Sequence, residues 1–433
     1  MTEAVAPVTH SLYIHVPFCR SRCTYCDFHS AVIPDYGSCA QATRLDPGRL
    51  RVQSWSKAIE RHLAALKLAP GWEPYTTMYV GGGTPTVLPT SELEHLLAVL
   101  AVSWAGSVSG AAISSAEVLV EALPDKVPGC GTEWSIECNP DDLTRPMLDS
   151  FDVFGVSRLS VGVQSLEDPV RQVVRRRGSA AEILSALGNL ARHWKRNWSA
   201  DFMYGMPGQT PAGLAQDIKH TIDLGAGHIS LYQLTLEEGT ALATEVHRGS
   251  ILLPDLDLSA DQYNAAAEEL VSAGYLRYEV SNWALPGQEC QHNLHYWRMD
   301  DWDAIGPSGV SNRREGAVYV RGQNPADDNA YEADPLGSVS FSAVRHIDAM
   351  FEYLMMALRT SEGFSVQRFH DIFGRDPSLV FGNLPEEFPT CIRGDSGRWY
   401  PANEGMDMLN RVLVAALEAA DHAKDSETGG LPL

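Results

Sequence analysis

Three cysteines lie within eight residues near the start of this 433-residue chain, in the segment LYIHVPFCRSRCTYCDF. The spacing Cys19-x3-Cys23-x2-Cys26 follows a predicted strand and therefore places three thiols on one loop. Three thiolates can bind three corners of a four-iron cluster, which leaves the fourth iron without a protein ligand. A zinc site would need a fourth ligand, for which His15 and His29 are candidates, and the thiols could also be unrelated core groups. The spacing favours the cluster.

A glycine-rich segment and four polar residues are predicted to surround the same site. Gly81-Gly82-Gly83-Thr84-Pro85 follows the second predicted strand, where glycines let a ligand approach the backbone closely. The polar residues stand at or near the ends of later strands, and they are Glu137, Gln164, Asp201 and, twelve residues beyond Gln164, Arg176. Each of them taken alone is also explained as a buried polar group with a structural role.

The elements that position these residues form a repeating pattern of short apolar strands and helical segments, which is typical of parallel strand–helix units. The predicted strands are Leu12–Val16, Thr77–Val80, Trp134–Cys138, Arg158–Val163, Ala200–Tyr204 and Ile229–Leu234. The predicted helices between them are 50–68, 91–102, 146–154, 180–194 and 214–224. Six units are too few for a closed eight-fold barrel, so we expect an open partial barrel with its site at the strands' C-terminal ends.

One face of the fourth predicted strand carries Ser160, Gly162 and Gln164, which are small or polar. Because successive side chains of a strand point to opposite faces, this face would border a polar lumen, and the apolar face would pack under helices. The pattern predicts a barrel with a ligand cavity inside it.

The strand–helix rhythm stops after Leu236, and a domain boundary is predicted near Thr244. We expect an N-terminal arm over 1–10, the barrel over 11–243, a smaller, mainly helical domain over 244–420 and a frayed polar tail over 421–433. Helices of the second domain are predicted at 260–273, 342–359, 366–373 and 406–420. Segments 33–47 and 105–131 are rich in turn formers or small residues and are predicted to be surface loops.

Composition excludes several classes of protein. The formal charge of −22 disfavours a partner rich in phosphate such as nucleic acid. The longest apolar run, Leu96–Val102, is far shorter than the roughly 20 residues of a membrane span. Residues 1–10 lack the basic start and apolar core of a secretory signal, and eight cysteines are too dilute for a disulfide scaffold. We expect a cytoplasmic protein with no transmembrane segment.

The second half contains the segment CQHNLHYW. On a helix, His292 shares a face with His295 and Tyr296, at offsets of three and four residues. An imidazole can ligate haem iron, and neighbouring aromatic rings can stack on a porphyrin. From spacing alone, an aromatic helix packed into a domain junction is the favoured interpretation.

Taken together, the motifs resemble the radical S-adenosylmethionine (SAM) superfamily, whose core is a partial (β/α)6 barrel. The resemblance implies an α/β fold with a [4Fe-4S] cluster held by Cys19, Cys23 and Cys26, and SAM bound to the unique iron. Gly81–Pro85 matches the family's GGxTP element. The positions that the resemblance assigns to SAM are Tyr13, Tyr25, Gly82, Gly83, Thr84, Glu137, Gln164, Arg176, Asp201 and Thr235.

Within the superfamily, the chain resembles the HemN/HemW branch. Phe28 stands where HemN-type sequences carry a further cysteine, and HNLHYW matches the HNxxYW signature of HemW-type sequences. Segments 352–364 and 405–414 resemble the C-terminal domain of that branch. One departure is the segment IGPSGVS, in which Val310 stands where a histidine is expected.

This resemblance implies a haem chaperone that binds the cluster, SAM and haem, with His292 as the first candidate for contacting haem. Its implied partners are apo-haemoproteins, with membrane respiratory enzymes among them, and an electron donor. The alternative within the branch is an oxygen-independent coproporphyrinogen III dehydrogenase, which decarboxylates propionates to vinyls, and a third class is a zinc-binding adaptor. Phe28 and the HNxxYW element favour the chaperone, and no catalytic residue is assigned.

Overall fold

The computed structural model describes residues 10–33, 47–69, 74–104, 133–316, 318–395, 397–402 and 405–427. The two predicted loops, 33–47 and 105–131, lie almost entirely outside these residues, as does nearly all of the predicted arm. A sheet of twelve strands runs through the molecule. No helix within the described ranges has the length and apolar character required to cross a membrane.

The first half contains the predicted strand–helix units. Strands β1 to β8 are His10–Val16, Phe18–Cys19, Ala31–Val32, Thr77–Gly82, Glu133–Cys138, Arg158–Gln164, Asn197–Tyr204 and His228–Gln233. Helices α1 to α6 are Pro47–Leu68, Thr90–Trp104, Arg145–Phe154, Asp168–Val173, Ala180–His193 and Pro211–Asp223. Short 3-10 turns at Pro85–Val87 and Pro140–Asp142 follow β4 and β5. Strands β1, β4, β5, β6, β7 and β8 are parallel neighbours in that order, which confirms the predicted partial barrel.

The second half adds both helices and strands. Strands β9 to β17 are Leu276–Arg277, Asn282–Ala284, Asp301–Ile305, Val310–Glu315, Val318–Gln323, Ser340–Ala343, Phe364–Ser365, Ile392–Asp395 and Arg398–Pro401. Helices α7 to α15 are Ala241–His247, Leu256–Ser272, Gln291–Trp297, Asp328–Ala333, His346–Ala357, Val366–Phe373, Pro377–Phe381, Leu384–Glu387 and Leu409–Glu427. The helices from α11 onward form the helical C-terminal region that was predicted.

Strands of the second half extend the barrel sheet at both edges. Strand β11 pairs in parallel with β1, and β10 pairs antiparallel with β8. Strands β12, β13 and β14 continue the sheet beyond β11 as antiparallel neighbours. The predicted boundary near Thr244 falls inside α7, so the division at 243/244 stays a prediction.

Several element boundaries differ from the sequence-based expectation by a few residues, and two of the differences matter for the second half of the chain. The helix predicted over 342–359 begins only at His346, because residues 340–343 pair with β13 as β14. The tail predicted to fray from 421 is helical as far as Glu427, since α15 continues through it.

Side-chain alternation in β6 explains how the barrel separates its core from its lumen. Leu159, Val161 and Val163 are fully buried and belong to the main apolar core. Gly162 and Gln164, on the opposite face, line a cavity inside the barrel. A second apolar core around Tyr353 and Phe369 supports the C-terminal helices.

The glycine segment after β4 packs directly against the backbone that leads into the cysteine loop. The Gly83 N–H donates to the Val16 carbonyl at 2.8 Å, and the Thr84 N–H donates to the Phe18 carbonyl at 2.7 Å. A Cβ placed on Gly83 would lie 2.4 Å from the Phe18 carbonyl oxygen and 2.9 Å from that of Val16. Only glycine allows the two backbones to approach this closely.

Gly83→Ala is therefore expected to lower thermal stability, because forcing atoms into a packed site costs about 1–3 kcal/mol. The matched control is Gly188→Ala in α5, where the nearest atom to a new Cβ is the Arg192 side chain at 3.9 Å. Alanine has the higher helix propensity, so this control should keep or raise stability. Equal melting temperatures for both variants, measured by circular dichroism, would contradict the close approach at Gly83.

Candidate functional site

A cavity of about 960 Å³ opens at the C-terminal ends of the parallel strands. The three clustered cysteines line it together with every residue predicted to contact SAM except Tyr13. These lining residues are Cys19, Cys23, Cys26, Tyr25, Gly82, Gly83, Thr84, Glu137, Gln164, Arg176, Asp201 and Thr235. The parallel topology thus brings together side chains that lie more than 200 residues apart in the chain.

The three cysteines are free thiols at the cavity wall, each of intermediate exposure. The Cys19 Sγ lies 3.7 Å from the Thr84 hydroxyl, and the Cys26 N–H donates to the Cys23 carbonyl at 3.2 Å. Burial raises the pKa of the Cys19 and Cys26 thiols, so in an empty cavity both favour the protonated form. A bound cation would favour the thiolates instead.

The thiols suit a cluster better than a single ion. Across the described ranges, no group of three His, Cys, Asp or Glu side chains is arranged to hold one metal ion. In a four-iron cluster each thiolate binds a different iron, so the sulfur atoms need not converge on one point. Three free thiols facing a cavity therefore fit the group that the sequence motif predicts.

Arg176 connects the cysteine loop to the barrel. Its Nη2 donates to the Asn139 Oδ1 at 2.8 Å and to the Gly162 carbonyl at 2.7 Å, and its Nη1 donates to the Cys23 Sγ at 3.5 Å. The Asn139 amide in turn donates to the Thr84 hydroxyl at 3.3 Å. One cation thereby fixes the cysteine loop and the strand end, and it supplies positive charge to the cavity. Asn139 was not predicted from the sequence.

Glu137 is a half-buried residue beside the glycine segment. It accepts hydrogen bonds from the Tyr79 hydroxyl and from the Gly82 N–H, both at 3.0 Å. Burial raises the pKa of Glu137 to about 7, and the two donors offset only part of this shift. A ligand ammonium group in the cavity would stabilise the ionised carboxylate.

Asp201 accepts hydrogen bonds from three serine hydroxyls. The distances are 2.7 Å to Ser160, 3.3 Å to Ser199 and 2.7 Å to Ser230. Burial raises the pKa of Asp201, whereas the serine hydroxyls lower it. Ser199 and Ser230 were not predicted from the sequence, although the alternation of side chains along β7 places Ser199 on the same face as Asp201.

Gln164 ends β6 with a φ of +69°, which side-chain-bearing residues adopt rarely. The register between β6 and β7 shifts between Gly162 and Gln164. This local strain turns the end of the strand at the cavity wall, and backbone strain of this kind is concentrated at functional sites.

A second cavity, of about 640 Å³, lies on the other side of Tyr232, which lines both cavities. Its wall is rich in aromatic rings. The lining includes Tyr13, His15, Glu279, Asn282, Asn293, Tyr296, Trp297, Trp302, Val310 and Met356. Tyr13, predicted to contact SAM, lines this second cavity and not the first, and its hydroxyl lies 3.0 Å from the His15 Nδ1.

The HNLHYW segment forms helix α9, the conformation in which His292 and Tyr296 share a face. Both oxygens of Glu133 accept hydrogen bonds at its N-terminus, from the N–H groups of Gln291 at 3.0 Å and His292 at 3.1 Å. A carboxylate at this end of a helix is favoured by the helix dipole. Asn293, Tyr296 and Trp297 thereby face the second cavity.

His292 does not line either cavity. It is fully buried, with its Nδ1 2.8 Å from the Thr77 hydroxyl and its Nε2 2.8 Å from the Tyr296 hydroxyl. Burial lowers its pKa to about 3, so the imidazole is neutral near pH 7. Because both ring nitrogens are engaged, this arrangement does not favour the predicted direct contact of His292 with haem. The geometry instead makes it a residue that positions Tyr296.

Comparison with known proteins assigns families to both parts of the chain. The model of the radical SAM superfamily matches residues 13–223, and the model of the HemN C-terminal domain matches residues 344–388. The first range contains all three clustered cysteines and the barrel strands β4 to β7, together with most of β1, and it ends before β8.

Several similar proteins cover most of the chain. "Heme chaperone HemW" of a Synechocystis species is 31 % identical over 381 residues, which cover 86 % of this chain and 83 % of that protein. The protein of the same name from Lactococcus lactis is 26 % identical, covering 93 % of this chain and 96 % of that protein. "Radical S-adenosyl methionine domain-containing protein 1, mitochondrial" from Mus musculus is 30 % identical, covering 97 % of this chain and 91 % of that protein.

Among solved structures, coproporphyrinogen III oxidase (HemN) from Escherichia coli superposes with a TM-score of 0.71. The superposition covers 94 % of this chain and 90 % of that one, at 19 % sequence identity, and it therefore shows a shared fold. From the family models and the relatives together, the chain belongs to the radical SAM superfamily, in the branch that includes the heme chaperone HemW.

Proposed function

We propose that this protein is a haem chaperone, which holds a [4Fe-4S] cluster and SAM in the first cavity and haem in the second. The observation that carries the proposal is the meeting of the two cavities at Tyr232. One cavity contains three free thiols, and the other contains the aromatic residues of the HNLHYW segment. A cluster and a porphyrin could thus be bound side by side in one chain.

The residues of the first cavity fit the cofactors that the superfamily implies. Cys19, Cys23 and Cys26 would hold three irons of the cluster, which when loaded supplies an electron and an open iron position to SAM. Gly82 and Gly83 line this cavity, and Gly81 lets the Glu137 carboxyl approach the glycine segment, since a Cβ on Gly81 would lie 2.8 Å from that carboxyl. Glu137 would accept hydrogen bonds from the ligand.

The second cavity fits a flat apolar macrocycle. Tyr13, Tyr232, Tyr296, Trp297 and Trp302 provide large rings around about 640 Å³ of space. Ligand sites of this size are usually apolar and aromatic, with a few polar groups that set orientation. His292 would not contact the ligand but would hold Tyr296 in position through its hydrogen bond to the Tyr296 hydroxyl.

Delivery completes the proposed function. The recipients would be apo-haemoproteins, with membrane respiratory enzymes among them, and an electron donor would serve the cluster. We place the protein in the cytoplasm, because free clustered thiols suit a reducing compartment.

The alternative function is oxidative decarboxylation of coproporphyrinogen III, which requires the same cluster and SAM. The fold shared with Escherichia coli HemN is compatible with it. Phe28 favours the chaperone, because an exposed phenyl ring, 64 % accessible, stands at the cavity where HemN-type sequences carry a further cysteine.

The two functions are separated by one anaerobic experiment. The reconstituted protein is incubated with SAM and reductant, either with haem and an apo-haemoprotein or with coproporphyrinogen III. The chaperone proposal predicts transfer of haem to the apo-protein and no protoporphyrinogen. Formation of protoporphyrinogen, or failure to transfer bound haem, would contradict it.

A second prediction concerns SAM affinity. Arg176→Ala removes the only cation proposed to meet the charged groups of SAM, so binding should weaken by about 2–3 kcal/mol. The matched control is Arg175→Ala, whose side chain is exposed and pairs with Glu245 at 2.9 Å. Affinities are measured by calorimetry on protein of equal iron content, because Arg176 also contacts Cys23. Equal SAM affinity in the two variants would reject the role of Arg176.

A further inference from the structure

The second cavity contains a buried carboxyl with an unused oxygen. Glu279 lies between β9 and β10, is fully buried and lines the cavity. Its Oε2 accepts a hydrogen bond from the Ser281 N–H at 3.1 Å. Its Oε1 accepts none of normal length from the described part of the chain. Burying a polar atom without a partner costs about 1–3 kcal/mol. A ligand that bonds to this oxygen would recover that cost.

The nitrogen donors near this cavity are already engaged. His15 uses its Nδ1 toward the Tyr13 hydroxyl at 3.0 Å and its Nε2 toward the His29 carbonyl at 2.9 Å. His292 lies behind the wall with both nitrogens bonded. At position 310, where the resemblance led us to expect a histidine, the chain has valine. An iron in this cavity would therefore find no free imidazole among the described residues.

The other potential donors are weaker than Glu279. The hydroxyls of Tyr13 and Tyr296 are already hydrogen-bonded to His15 at 3.0 Å and to His292 at 2.8 Å, and burial raises the pKa of both hydroxyls. Met356 offers only a neutral thioether. Glu279 differs because it carries a negative charge when ionised, and a ferric haem centre carries a net positive charge.

We propose that the carboxylate of Glu279 would hold the haem iron in the second cavity as a ligand. This inference rests on the proposed haem binding there. On binding, the carboxyl releases its proton to solvent, and the oxygen bonds to iron in place of a water molecule. Because ligation pairs a buried negative charge with a positive one, it removes the penalty of the unpartnered oxygen.

Burial raises the pKa of Glu279 to about 7, and the Ser281 N–H offsets part of that rise. The carboxyl thus releases its proton readily when a cation approaches near neutral pH. Asn282 adds a second polar group to the wall of the same cavity. Its Oδ1 also lacks a hydrogen-bond partner within the described residues.

The test is a titration of the full-length protein with ferric haem, followed by absorption and electron paramagnetic resonance. We expect wild-type protein to give the signature of oxygen-ligated, high-spin ferric haem. Glu279→Gln keeps the side-chain shape but is a poor ligand, so it should shift the Soret band and weaken binding at least tenfold. Acetate added to Glu279→Ala should restore the wild-type spectrum. The matched control is Glu268→Gln, which changes an exposed carboxyl on α8 that lines neither cavity, and it should keep the wild-type spectrum.

The outcomes separate this inference from the proposed function. No haem binding by wild-type protein would overturn the proposed function. Haem binding with an identical spectrum in Glu279→Gln, or loss of the signature in Glu268→Gln, would overturn only the assignment of Glu279. Iron-free protoporphyrin IX should bind wild type and Glu279→Gln equally, which shows that the cavity is intact, and unequal binding would also count against iron ligation.

Discussion

Three thiols cannot saturate four irons, and the coordination position that remains determines what the barrel must place around it. The cysteine loop follows β1 and is fixed by backbone hydrogen bonds to Gly83 and Thr84. Arg176 adds contacts to the loop and to β6. Because the loop is fixed to rigid strands, a ligand at the open iron would meet side chains of known position, such as Glu137.

The second half of the chain builds the second cavity by extending the barrel sheet. Strand β10 adds to β8 and strand β11 adds to β1, so both edges of the partial barrel are continued. Glu279 and helix α9 lie in this added region, while Tyr13 and Tyr232 come from barrel strands. Since Tyr232 lines both cavities, a ligand of one would lie close to a ligand of the other. This proximity is the structural basis of the proposed link between haem handling and a cluster with SAM.

The sequence predicted the parts that depend on local pattern. The parallel strands are apolar and alternate with helices, and the cysteine, glycine and polar positions follow strand ends, so their convergence could be foreseen. Strands β9 to β14 could not be foreseen, because they contain only two to six residues and several are polar. The placements of Tyr13 and His292 also escaped prediction, since they depend on contacts between distant segments. Glu279 gave no signal, because an unpartnered oxygen is visible only in three dimensions.

The open coordination position on the fourth iron is tested most directly by magnetic coupling between the reduced cluster and bound SAM. The SAM carries nitrogen-15 in its amino group, and the coupling is measured by electron–nuclear double resonance on the reconstituted wild-type protein. The account predicts a coupling from the labelled nitrogen, because only three thiolates bind the cluster and one iron remains open to SAM. A four-iron cluster that shows no coupling at saturating SAM would mean that the protein supplies a fourth ligand. That result would contradict ligation of the cluster by three thiolates alone.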